Sequence, residues 1–89
     1  MTNEPIVAQS INRHDPIGLL EMGCPQNEYD IEIKAISDQL DGTNTGDIES
    51  IFDVVSSVFA DYFGRNYATA IEDKLWLIAQ DIFEAMTTV

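Results

Sequence analysis

The stretch 47-DIESIFDVVSSVFADYFG-64 decides whether this 89-residue chain is read as helical or as β. It is rich enough in β-branched and aromatic residues to make a strand. Alternation at period two is not sustained, however. Ile48, Ile51, Phe52, Val55, Val58, Phe59, Tyr62 and Phe63 recur at three- and four-residue intervals and form one broad apolar stripe, while Glu49, Asp53, Ser56, Ser57 and Asp61 fall elsewhere. The spacing predicts a helix over 47–63, stopped by Gly64 at the position where a left-handed residue is needed.

Working outward, Ile71, Leu75, Ile78, Ile82 and Met86 predict a last helix over 70–86, widened by Trp76, Ala79 and Phe83 and opened by a Thr69 to Glu72 capping box. Upstream, Tyr29, Ile33, Ile36 and Leu40 share one helical face and predict a helix over 28–40. Asn27 is its cap, with Glu28 and Asp30 in the first turn. The connection Gly42-Thr43-Asn44-Thr45-Gly46 is polar turn chemistry, with Asn44 or Thr45 available to cap the following helix. A first helix over 4–13 follows from an Asn3 cap, Pro5 in the first turn and the stripe of Ile6, Val7 and Ile11. Between the first two helices, residues 15–26 carry two prolines and two glycines, so the segment is irregular. It is nevertheless apolar through Ile17, Leu19, Leu20 and Met22 and is expected to pack onto the core.

Four amphipathic segments with short connections predict one all-α domain over 1–89, a compact bundle of about four helices with an irregular apolar loop between the first two. A hydrophobic content of 45%, with Trp76, three Tyr and four Phe, is too apolar for a disordered chain. A domain this small buries only about 60% of the surface its unfolded form exposes, which argues against an enclosed substrate cavity. The N-terminal residues lack the basic and apolar regions of a secretory signal, and no run approaches the ~20 apolar residues of a membrane span. Cys24 is the single cysteine and fits a reducing compartment, so a cytoplasmic location is expected.

Sixteen acidic residues against four basic ones leave a formal charge of −12. The resulting field repels nucleic acid and anionic membranes, so neither is an expected partner, and it attracts a protein with a basic face. Specific chemistry is harder to find. Residues 41–52 imitate a calcium loop in Asp41, Gly46 and Ile48, but position twelve holds Phe52 where a bidentate carboxylate is required, and Thr43 and Thr45 stand at positions three and five. His14 is the only imidazole and cannot build a multi-histidine metal site. Asp15-Pro16 reads as a cap opening a short turn, its carboxylate accepting an orphan amide. A Cys24 nucleophile with His14 as base would have only Arg13 nearby to stabilise a thiolate, opposed by Glu21 and Glu28. The chain is therefore expected to be no enzyme, with no catalytic, metal or cofactor-binding residue.

The string Asp15-Pro16-Ile17-Gly18-Leu19, then Gly23-Cys24-Pro25, then Asn27-Glu28-Tyr29-Asp30-Ile31-Glu32 and Ile36, resembles a family of short bacterial proteins of uncharacterised function. Its shared segment reads Trp-Asp-Pro-Ile-Gly, a Gly-x-Pro turn, and Glu-Tyr-Asp followed by spaced isoleucines. Ile51-Phe52 and Tyr62-Phe63-Gly64 also fit, so the likeness covers residues 10–64, with His14 standing where the family usually has Trp. The resemblance implies a small helical cytosolic protein similar to immunity proteins of contact-dependent inhibition and other polymorphic toxin systems, and it supplies no catalytic residue.

With the charge, this yields the expected function: an immunity protein that binds a cognate basic toxin domain, a nuclease whose substrate cleft must be cationic. Asp38, Asp41, Asp47, Glu49 and Asp53 are the leading contact set, and Glu28, Asp30 and Glu32 the second. The alternative is a homodimeric adaptor or regulatory module whose acidity serves solubility. Its signature would be an exposed apolar patch, with Trp76, Leu77 and Tyr67 as candidates.

Overall fold

The structure, a computed structural model, describes residues 4–18, 21–23, 29–42 and 46–87. The fold is all-α. Helices α1 (Glu4–His14), α2 (Asp30–Leu40), α3 (Ile48–Phe63), α4 (Arg65–Ala70) and α5 (Glu72–Thr87) follow in order, and the described residues contain no strand. None of the helices is long and apolar enough to cross a membrane. The four long helices pack in a closed ring, α1 on α2, α2 on α3, α3 on α5 and α5 back on α1. Among the described residues the backbones of the diagonal pairs α1–α3 and α2–α5 do not approach within 8 Å, Cα to Cα. A radius of gyration of 12.0 Å is that of a fully collapsed chain of this length.

The apolar stripes account for this ring. Ile51, Val55, Val58 and Phe59 of α3 meet Leu75, Ile78, Ala79 and Ile82 of α5, Val7 and Ile11 of α1, and Ile33, Ile36 and Leu40 of α2 in one shared core. Two expectations for α3 need correcting. Val54 is buried although it was not assigned to the stripe, and Tyr62, assigned to it, is 51% exposed. Tyr62 lies in the last turn, just before Gly64, where its neighbour Phe63 packs against the core instead.

The largest departure from the expected element pattern lies beyond Gly64. Its φ of 96° ends α3 at a cost that a residue with a Cβ would not tolerate, and its N–H still closes onto the Ala60 carbonyl. The chain then re-enters a helix at once, as the six-residue α4, which six residues of weak periodicity do not announce. For this reason the Thr69 to Glu72 capping box does not form. Thr69 is inside α4 and its hydroxyl donates to the Arg65 carbonyl at 3.0 Å, while the Ile71 carbonyl accepts the Leu75 N–H and α5 begins at Glu72.

The cap of α3 is also reassigned. Asp47, extended at φ −128° and ψ 117°, accepts the Glu49 N–H at 3.1 Å and the Ser50 hydroxyl at 3.3 Å, occupying the role expected of Asn44 or Thr45, which lie outside the described residues. Helix α2 begins at Asp30, two residues later than the spacing suggested, and the expected caps Asn3 and Asn27 also lie outside the described residues.

Asp15 closes α1 and, as expected, opens a short turn, its carboxylate accepting the Glu21 N–H at 3.0 Å. It adopts φ 45°, its N–H bonds the Ile11 carbonyl at 2.8 Å, and its own carbonyl accepts the Gly18 N–H at 2.9 Å across a turn led by Pro16. The loop is only partly apolar in placement. Pro16 is buried and Ile17 packs on the core, but Met22 is 70% exposed, and Leu19 and Leu20 lie outside the described residues.

Candidate functional site

Carboxylates divide into those the fold uses and those it presents to solvent. Asp38 and Asp41 lie on the outer face and at the end of α2, and Glu49 and Asp53 are exposed on α3. Asp30 is exposed at the start of α2. Glu32 leaves the contact set: it is 5% exposed and engaged within the fold. Asp47 is exposed but its carboxylate is committed to capping α3, and Glu28 lies outside the described residues.

The structure extends the α3 group by one residue. Glu49, Asp53, Ser57 and Asp61 follow at four-residue intervals and are all exposed, and the whole of α3 contains neither Lys nor Arg. The signal for Asp61 is its eight-residue spacing from Asp53, which returns it to the same polar side of the helix, away from the α2–α3 turn. Glu49 and Asp53 repel each other by a few tenths of a kcal/mol, a cost the helix bears without a local cation. The arrangement on α2 differs, because Lys34 stands four residues from both Asp30 and Asp38.

The ion pairs among the described residues lie elsewhere, at the seam of α1 and α5. His14 Nε2 is 2.7 Å from Asp81 Oδ2, and Arg13 lies 3.7 Å from the same oxygen. Beside them the buried Ser10 hydroxyl donates to the Ile78 carbonyl at 3.1 Å, joining α1 to the middle of α5. His14 therefore meets a carboxylate of α5. The Asp15 carboxylate accepts the Tyr29 hydroxyl at 2.7 Å and the Glu21 N–H at 3.0 Å, while the same hydroxyl accepts the Ile17 N–H at 3.0 Å. Asp15 and Tyr29 thus lock the irregular loop onto the start of α2. Cys24 lies outside the described residues.

Within the abandoned calcium motif, Phe52 is occupied in packing: its ring lies parallel to Trp76 with centroids 3.9 Å apart. Of the three residues named for an adaptor's apolar patch, Trp76 is half-buried in this stack, whereas Leu77 and Tyr67 are 47% and 44% exposed. Trp76 turns toward α3, Leu77 projects about 100° away on the same helix and shares the outer face of α5 with exposed Asp73, Gln80 and Glu84, and Tyr67 leans on Phe63 of α3.

Next to the α3 acids runs a groove of about 450 Å³, walled by α3, α4 and the first turn of α5. Phe52, Ala60, Ala68 and Leu75 contribute apolar surface, and Asp61, Arg65 and Glu72 stand at its edges. Comparisons with protein-family models, with curated proteins and with solved structures returned no match. The likeness to immunity-type proteins accordingly rests on the quoted residues alone.

Proposed function

We propose that this chain is a stoichiometric binding protein that works in the bacterial cytoplasm as an immunity protein, neutralising a cognate basic toxin domain of nuclease type. The observation that carries this reading is the exposed row Glu49, Asp53 and Asp61 on a helix with no basic residue, set in a molecule of net charge −12. A nuclease must concentrate cations where it holds phosphates, so such a row is complementary to its cleft or to the rim of that cleft. Asp38 and Asp41 at the end of α2 add to the same field. Long-range attraction raises the association rate, and a Debye length of about 8 Å in physiological salt makes that rate fall as salt is added.

The test is co-expression with the toxin encoded beside this chain, read as growth rescue and co-purification. Protection is expected from the native chain, and protection lost from Glu49→Lys/Asp53→Lys/Asp61→Lys while the variant remains folded. A native chain that neither protects against nor co-purifies with any neighbouring toxin would remove the proposal.

A further inference from the structure

We infer that the groove between α3, α4 and the start of α5 seats an apolar side chain of the cationic protein partner, an aromatic or large aliphatic residue flanked by lysine or arginine. The inference deepens the functional reading above and rests on its claim that the partner is basic. The groove has a structural origin. Gly64 turns the chain out of α3 and into α4, and the small residues Ser56 and Ala60 of α3 and Ala68 of α4 line a gap of about 450 Å³ together with the first turn of α5. That volume is within the range of pockets that take a small ligand or an anchoring side chain. One wall is pre-organised, because Phe52 is held by its parallel stack on Trp76. The lining is mixed: exposed Ser57, Asp61, Arg65, Thr69 and Glu72 form a polar rim, and Phe52, Ala60, Ala68 and Leu75 supply a smaller apolar floor. An apolar floor inside a polar rim is where the few dominant residues of a protein interface insert.

Charge selects the occupant. Asp61 and Glu72 outnumber Arg65 at the edge, none of the three is in an ion pair among the described residues, and the row Glu49 and Asp53 continues the negative surface along α3. A second copy of this chain would bring another −12 toward that edge, and an anionic ligand would be repelled in the same way. The depression of about 350 Å³ between α1 and α5 offers no equivalent, since Arg13 and Asp81 in its lining already pair with each other.

The experiment titrates the full chain with two synthetic lysine-rich amphipathic peptides of equal charge, one carrying Trp and Leu on its apolar face and one with those residues replaced by Ser, and follows backbone amide shifts. The apolar peptide is expected to perturb residues 56–61, α4 and the first turn of α5, and to bind at least roughly tenfold more weakly to Ala60→Phe, which fills the gap. Ser57→Tyr, at an exposed rim position, provides the same block if Ala60→Phe does not fold. Equal binding of both peptides, with shifts confined to Glu49 and Asp53 and unaffected by either block, overturns the groove while leaving the acidic recognition of the proposed function standing. A concentration-dependent dimer abolished by Ala60→Phe overturns it in favour of a second copy. The co-expression test reads the toxin directly, so the two claims fail separately.

Discussion

At the end of α1 the fold consumes its carboxylates, whereas along the outer face of α3 it leaves them to the solvent. Asp15 is tied to Tyr29 and Glu21, and Asp81 of α5 to Arg13 and His14, so negative charge there closes a loop and a helix seam. On α3, Glu49, Asp53 and Asp61 lie on one exposed row, four and then eight residues apart, without a cation on the helix. An acidic composition is therefore not one property. A carboxylate with a donor within 3 Å stabilises the fold, and one without a partner adds only to the external field and to self-repulsion.

Substitutions at the two sets of acids should have opposite effects on stability. Asp15→Ala should have the largest effect, a loss of about 3 kcal/mol, because it removes a charged acceptor from two donors and places a Cβ-bearing residue without a local hydrogen bond at φ 45°. Asp15→Gly, which tolerates that φ, should lose less, and urea melts at unchanged slope would measure both. Asp47→Ala should cost about 1 kcal/mol through the lost cap of α3, seen in the same melts. Asp81→Asn should cost less than about 1 kcal/mol, since Arg13 is 73% exposed and water replaces much of the pairing. Asp53→Asn should not destabilise at all, and relief of the repulsion with Glu49 should raise stability by a few tenths of a kcal/mol while slowing capture of a basic partner at low salt. A large loss from Asp53→Asn would mean that the α3 acids are structural after all, and the contrast would collapse.

Much of the fold was legible along the chain. The spacings of Tyr29, Ile33, Ile36 and Leu40, and of Leu75, Ile78 and Ile82, predicted faces that are buried to within a few per cent, because helical periodicity is a local property of the chain. Helix α4 was not legible. Six residues are too short to show a period, and their helical state depends on Gly64 ending α3 and on the packing of Ala68 against the core. The candidate site divides in the same way. Glu49 and Asp53 could be placed outside from their position opposite the stripe, but Glu32 could not be recognised as buried, and the groove beside Asp61 exists only because three helices meet around α4.

By itself the amino-acid order determined the all-α class, the four long helices and the overwhelming negative charge, since each depends on residue type and on intervals of three and four. Tertiary structure alone decided which acids became ligands of the fold and which stayed free, and it alone opened the groove. Both outcomes depend on donors and walls contributed by residues far apart in the chain, such as Asp15 with Tyr29, His14 with Asp81 and Ala60 with Ala68, and chain-local spacing carries no information about those distances.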